Sequence, residues 1–126
     1  MRRLLDRCVE AASGSLGFRP DIHLDWPPGT LVTAAVAGAV QDALDLSLER
    51  IAARGGSTSA FVSLAWRGDT IELCVVDDGC VTTTGEHGGR DVAEVRQVDA
   101  RGLEHDVDQF GDVGVCQWWS IPVELS

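Results

Sequence analysis

A short alternating segment, Ile71 to Asp77, constrains the fold of this chain more than any other feature. Buried-type residues recur at every second position along it, and the segment runs into Asp78-Gly79. Alternation with a period of two is typical of a β-strand that has one buried face. Such a strand needs neighbouring strands and a covering layer, because it cannot bury its apolar row alone. The sequence therefore predicts a sheet with a carboxylate and a glycine at one end.

The other elements are predicted from periodicity and from turn residues. Helices are predicted over Arg2 to Ala12, Ala34 to Arg54 and Arg101 to Phe110, with a further short helix over Asp91 to Gln97. Strands are predicted over Asp21 to Trp26, Ser59 to Trp66, Thr70 to Asp77 and Val113 to Leu125. This order favours one α+β domain over residues 1–126, a two-layer sandwich. We expect a mixed, mostly antiparallel sheet with helices on one face, and a loop or lid over 81–100.

Composition excludes several classes of function. The net charge is −10, and all ten basic residues are arginine. An acidic surface repels nucleic acid and anionic membrane, so neither is expected as a partner. The chain has no Walker-type GxxxxGK[ST] motif and no apolar run long enough for a transmembrane helix. Its four cysteines lie far apart without a CxxC pair, which predicts reduced thiols and a cytoplasmic location, with Cys8 and Cys74 facing the core.

Three segments together resemble the ATP-binding domain of sensor histidine kinases, the GHKL or Bergerat fold. They are Val40-Gln41-Asp42-Ala43-Leu44, Val75-Val76-Asp77-Asp78-Gly79 and Arg101-Gly102-Leu103. Their order and spacing carry the resemblance, which spans about Leu4 to Val123. Within that group the chain is most similar to the subfamily that partners LuxR-type response regulators.

The first segment corresponds to the family's long helix, which carries a Glu and, four residues later, an Asn that binds magnesium. The resemblance places Asp42 at the Glu position, where it is the candidate catalytic residue and would hold a water, and Arg50 at the position of a basic residue. Leu46 stands at the Asn position. Because magnesium requires oxygen ligands, leucine cannot replace asparagine there, and no metal ligand is predicted.

The other two segments correspond to the family's adenine and phosphate motifs. Asp77 matches the residue that accepts a hydrogen bond from the adenine amino group, and Gly79 matches the glycine that lets the base approach. Arg101, Gly102 and Leu103 match the turn whose backbone amides hold phosphates at a helix N-terminus. Val81 and Ala100 stand where the family has glycines, so both turns depart from its pattern.

The resemblance implies an ATP-binding domain of a sensor histidine kinase or a kinase-like regulator. Its ligands would be ATP and ADP. Its partners would be a dimerising histidine domain, on the same or another kinase, and a response regulator or other signalling protein. It would be cytoplasmic, alone or as the cytoplasmic part of a membrane-bound sensor. If active, it would transfer the γ-phosphate to a histidine outside this chain. The alternative is a catalytically inactive module with the same fold that acts through protein–protein interaction.

Simpler interpretations exist for the same residues. Asp77-Asp78-Gly79 is also an ordinary turn after a strand, because Asp and Gly favour turns. Asp42 is equally consistent with a solvated helix position, and Arg101-Gly102 with a plain helix start. Alternation predicts that Trp118 and Trp119 lie on opposite faces of the last strand.

Overall fold

The described part of the chain forms two helices and six strands. A computed structural model describes residues 1–27, 29–79, 96–98, 104–110 and 114–123, with the backbone alone for 96–98 and 105–110. The helices are α1 (Arg2–Leu16) and α2 (Ala34–Arg54). The strands are β1 (Asp21–Asp25), β2 (Ala60–Trp66), β3 (Thr70–Asp77), β4 (Arg96–Val98), β5 (Glu104–Phe110) and β6 (Gly114–Pro122).

The six strands form one mixed sheet in the order β1-β2-β3-β6-β5-β4. β1 and β2 are parallel, and the other neighbours are antiparallel. Two parallel neighbours need a crossover connection, and α2 is the helix of that crossover between β1 and β2. The predicted α+β sandwich with a mostly antiparallel sheet is confirmed.

The long helix follows directly from its sequence. Thr33 caps its N-terminus, where the hydroxyl accepts a hydrogen bond from the Val36 backbone N–H at 3.1 Å. Gly55 ends it with a φ of 73°, a conformation that glycine adopts without the penalty of a side chain. The predicted bounds of this helix are therefore confirmed.

One face of the sheet carries the core. α2 packs on β3 and β6, and α1 packs on α2 and β1. The core is formed by buried aliphatic residues of both layers, which include Leu5, Val9, Val40, Leu44, Leu48, Ile51, Val62, Leu64, Ile71, Leu73, Val75 and Ile121. Burial alternates along β3 and β6, as period-two patterning requires.

Polar contacts also join α2 to β6. The Trp119 indole Nε1 donates to the Ser47 hydroxyl at 2.8 Å, and the Gln117 side-chain amide donates to the Ser47 carbonyl at 3.0 Å. Trp119 is buried, whereas Trp118 on the opposite face is half-buried. The prediction that the two tryptophans lie on opposite faces is confirmed.

The predicted helix over Arg101 to Phe110 is wrong. Residues 104–110 form β5, which pairs antiparallel with β6 along its whole length. The predicted short helix over Asp91 to Gln97 also fails at its end, since 96–98 form β4. The acidic residues of this region gave no strand signal, so pairing with a neighbouring strand decided its conformation.

The position predicted for Cys74 is also wrong. Alternation along β3 turns Leu73 and Val75 toward the helices and Cys74 toward the other face of the sheet, where it is half-buried. Cys8 is buried in the core as predicted. Within the described residues, no helix is both long and apolar enough to cross a membrane.

Candidate functional site

Asp77 is the last residue of β3 and continues the buried row of that strand. Its side chain is 0% exposed, although it carries a carboxylate. A buried carboxylate is costly unless donors or a cation compensate it. The surroundings of Asp77 therefore define the candidate site.

Three donors converge on one oxygen of Asp77. Its Oδ1 accepts hydrogen bonds from Arg54 Nη2, from the Ser57 hydroxyl at 2.8 Å and from the Gly79 backbone N–H at 2.8 Å. Arg54 is the last residue of α2, and its side chain is 20% exposed. The site is thus built where the C-terminal end of α2 meets the end of β3.

Two buried polar atoms of this ion pair remain without a partner. Among the described residues, nothing hydrogen-bonds the second carboxylate oxygen, Asp77 Oδ2, or the Arg54 Nε–H. Each atom is two covalent bonds from the atom that makes the ion pair, so the unused acceptor and donor belong to one cluster. Unsatisfied buried polar groups each cost about 1–3 kcal/mol. A ligand that offers a donor and an acceptor would recover part of this energy.

Asp78 has a different role from its neighbour. Its carboxylate accepts from the Thr58 backbone N–H at 2.7 Å, the Ser59 backbone N–H at 3.1 Å and the Thr58 hydroxyl. These hydrogen bonds, that of the Thr58 hydroxyl first, lower the pKa of Asp78 to about 2. Asp78 thereby links the residues just before β2 to the end of β3, whereas Asp77 is the buried carboxylate.

Gly79 is closely surrounded by this cluster. A Cβ at this position would lie 2.4 Å from Ser57 Oγ and 3.0 Å from Asp77 Oδ1. Real Cβ atoms essentially never approach to 2.4 Å, so a larger residue would displace the Ser57 hydroxyl. The glycine that is predicted to let the adenine base approach therefore also leaves room for the Ser57 hydroxyl, which hydrogen-bonds Asp77.

The helix residues predicted for the site lie along one ridge of α2. Asp42, Leu46, Arg50 and Arg54 recur every four residues, and Asp42 and Leu46 are exposed. At 1.5 Å per residue, Asp42 lies about 18 Å along the helix axis from Arg54. A ligand bound at Asp77 would have to extend along this ridge to reach Asp42.

The predicted phosphate turn cannot be placed by the structure. Arg101, Gly102 and Leu103 lie outside the described residues, as does the predicted lid except for 96–98. Their roles remain predictions.

A small concavity opens beside the end of β3. It has a volume of about 230 Å³ and is lined by Asp21, Ser59, Ala60, Phe61, Val76, Asp77 and Asp78. Two larger concavities of about 380 and 530 Å³ lie between α1 and α2. Of these three concavities, which are formed by described residues, the small one is lined by Asp77, the buried carboxylate that has an unused oxygen, so the site chemistry centres there.

The described residues do not fit a magnesium ion at the position where the resemblance places the family's Asn. Leu46, at 38% exposure, offers no oxygen to a hard cation. Within the part of the chain that the structure describes, no group of three His, Cys, Asp or Glu side chains is placed to hold a metal.

Sequence reasoning missed Arg54 and Ser57. Arg54 is the basic residue in the last turn of α2, directly before Gly55-Gly56, and this position was the available signal. A basic residue at a helix C-terminus is usually explained by the helix dipole. That it turns instead to a buried carboxylate depends on where the helix end meets the sheet.

Solved structures that superpose on this chain include histidine kinases. The chain shares the fold of histidine kinase ATP-binding domains. The ATP-binding domain of PrrB from Mycobacterium tuberculosis superposes with a TM-score of 0.63 at 20% identity, over 96% of this chain and 92% of that one. The histidine kinase AdeS from Acinetobacter baumannii gives a TM-score of 0.69 at 11% identity, over 97% of this chain and 64% of that one.

A histidine kinase from Burkholderia phymatum gives a TM-score of 0.64 at 12% identity, over 98% of this chain and 68% of that one. The chain thus spans less than two thirds of AdeS. No protein-family model matches the sequence, and no curated protein matches it. At these identities the likeness concerns the fold.

Proposed function

We propose that this chain is an ATP-binding domain of a sensor histidine kinase or a kinase-like regulator, and that it binds adenine at Asp77. The observation that carries the proposal is the buried Asp77 Oδ2, an acceptor without a donor among the described residues. The shared fold with the ATP-binding domain of PrrB supports it.

The two unused atoms are one acceptor and one donor, which are complementary in type to the donor and the acceptor on one edge of adenine. The exocyclic amino group is a donor and would satisfy Asp77 Oδ2. The adjacent ring nitrogen is an acceptor and would satisfy the Arg54 Nε–H. Guanine presents the reverse pattern, a carbonyl oxygen beside a ring N–H, and would place acceptor against acceptor. Leaving buried polar groups unpaired costs about 1–3 kcal/mol, so we expect ATP to bind about ten- to a hundredfold more tightly than GTP.

Further residues would serve a nucleotide bound in this position. Asp42 would hold a water, and Arg50, Arg101 and the backbone of Gly102 and Leu103 would contact the phosphates. Because Leu46 cannot ligate magnesium, nucleotide affinity should change little when the metal is removed. In an active kinase, catalysis would rest on positioning and charge neutralisation, with a histidine outside this chain as the acceptor.

A second candidate is a catalytically inactive module that acts by binding a signalling protein. Exposed large apolar side chains favour it: Leu31 is 90% exposed, and Leu46 and Phe61 are also exposed. Leu46 in particular combines loss of a metal ligand with an apolar surface. The partner would be a dimerising histidine domain or a response regulator.

Calorimetric titration separates the two candidates. ATP, ADP and GTP are titrated with and without magnesium into the parent chain, into Asp77→Asn and into the control Asp25→Asn. The control removes the same charge from an exposed strand end. Adenine nucleotides should bind the parent and the control alike, and Asp77→Asn should lose at least tenfold in ATP affinity while gaining relative preference for GTP.

Circular dichroism confirms that each variant is folded. An unchanged ATP affinity in folded Asp77→Asn, or equal affinities for ATP and GTP in the parent, would refute adenine recognition at Asp77. No heat and no thermal shift at millimolar nucleotide would leave the protein-binding module as the function.

A further inference from the structure

Cys74 and Cys116 form a close thiol pair on the sheet face that the helices leave uncovered. They lie on adjacent antiparallel strands, where Cys74 is opposite Trp118 and Cys116 is opposite Val76. The two cysteines are therefore diagonal neighbours across β3 and β6. Both are half-buried, and their sulfur atoms are 3.1 Å apart.

This separation is short enough for a bond to form with little movement. A disulfide needs the two Sγ atoms about 2.05 Å apart, so they must approach by about 1 Å. Strand pairing continues on both sides of the pair and holds the two Cα atoms in place. Because diagonal neighbours in a sheet lie about 7–8 Å apart, closing the gap combines side-chain rotation with a small local shift of the two strands.

The environments of the described cysteines differ in reactivity. A hydrogen bond with the Cys116 thiol lowers the pKa of Cys74, against the opposing effects of burial and of Glu72. Burial and Asp45 raise the pKa of Cys8 to about 12. Since the thiolate is the nucleophile in thiol exchange, we assign Cys74 as the attacking group, and Cys8 serves as an internal control.

We propose that Cys74 and Cys116 form a dithiol modification site that small disulfides, such as glutathione disulfide, oxidise to an intramolecular bond. The proposal rests on the 3.1 Å sulfur separation, the cross-strand register and the incomplete burial of both cysteines. It does not depend on nucleotide binding.

The reaction balances in two exchange steps. The Cys74 thiolate attacks one sulfur of the small disulfide, that bond breaks, and one small thiolate leaves and takes up the proton that Cys74 released. The Cys116 thiol then loses its proton and attacks Cys74 Sγ in the mixed disulfide. The second small thiolate leaves and takes up that proton. Two protein thiols are oxidised, and one small disulfide is reduced to two thiols.

The product would cross-link the centre of the sheet. β3 and β6 are the third and fourth strands of the six, and β3 ends at Asp77. A covalent link between them would restrict the strand that carries the candidate site.

The parent protein of this test carries one substitution, Cys80→Ser, so that the fourth cysteine does not compete. The protein is incubated with glutathione disulfide, and intact mass, thiol count and a non-reducing peptide map are recorded. We expect two thiols to disappear with the loss of two hydrogens, a cross-linked peptide that contains Cys74 and Cys116, and reversal by dithiothreitol.

Variants identify the order of the steps. Cys116→Ser should accumulate the mixed disulfide at Cys74 with the added mass of one glutathione. Cys74→Ser should react at least tenfold more slowly, and Cys8→Ser should behave like the parent. The proposal is overturned if the parent retains a stable mixed disulfide, if the map joins another pair, or if both thiols stay unmodified. These outcomes are read on the parent, so they hold even if a variant fails to fold.

Discussion

Replacing Arg54 with methionine should destabilise the domain by about 3 kcal/mol. Breaking a buried ion pair by removing one partner usually costs about 3–5 kcal/mol, because the other charge stays buried. Because Asp77 is fully buried, this range of costs applies to its ion pair. Arg54 is 20% exposed, and the Ser57 hydroxyl and Gly79 N–H still donate to Asp77, which argues for its lower end.

Urea denaturation at pH 7 measures this change. For a domain of this size, about 3 kcal/mol corresponds to a fall of about 10 °C in melting temperature. The matched control is Arg19→Met, which removes the same group from exposed ion pairs with Asp6 and Glu10. Exposed pairs contribute about 0–1 kcal/mol, so the control should remain close to the parent.

A double-mutant cycle isolates the interaction itself. Asp77→Asn alone should cost about 2 kcal/mol, because hydrogen bonds to a charged acceptor become hydrogen bonds to a neutral one. The double variant should cost about 3 kcal/mol instead of the sum of about 5, since no uncompensated carboxylate remains. Additive losses, or an effect of Arg54→Met no larger than that of Arg19→Met, would refute the reasoning.

Three further outcomes are expected. Asp78→Asn should lower the free energy of unfolding by about 1 kcal/mol at pH 7, after allowance for solvent exposure. This loss should shrink as pH falls from about 4 to about 2, because the lowered pKa of Asp78 contributes its full stability above that range and loses it within the range. Equal losses in urea at pH 7 and at pH 2.5 would contradict this. Gly79→Ala should lower the free energy of unfolding by about 1–2 kcal/mol in the same assay, because the added methyl group displaces the Ser57 hydroxyl. The loss should be smaller in a Ser57→Ala background, and an equal loss in both backgrounds would exclude that collision. Leu73→Ala should lower stability by about 2–5 kcal/mol by leaving a cavity under α2, and a loss below 1 kcal/mol in thermal unfolding would show that the core is not packed there.

Local signals in the chain were strong enough to predict the long helix and the two central strands, β2 and β3. Thr33 and Gly55 mark the ends of α2, and apolar periodicity marks its buried side. Alternation in β3 is equally clear. These signals act between near neighbours in sequence, so they can be recognised without a structure.

Pairing between distant segments decided the far side of the sheet. Residues 104–110 are mainly polar, and their strand conformation follows from hydrogen bonds to β6. The position of Cys74 beside Cys116 depends in the same way on the register between β3 and β6. A shift of one residue would turn both side chains to the other face.

The candidate site divides along the same line. The sequence by itself determined that a carboxylate and a glycine follow a buried strand, since Asp77 and Gly79 are adjacent to the alternating row. Only the tertiary structure decided that Arg54, from the end of α2, neutralises that carboxylate and leaves one oxygen unused. The physical reason is that an ion pair between residues far apart in sequence depends on how helix and sheet pack, which no local pattern records.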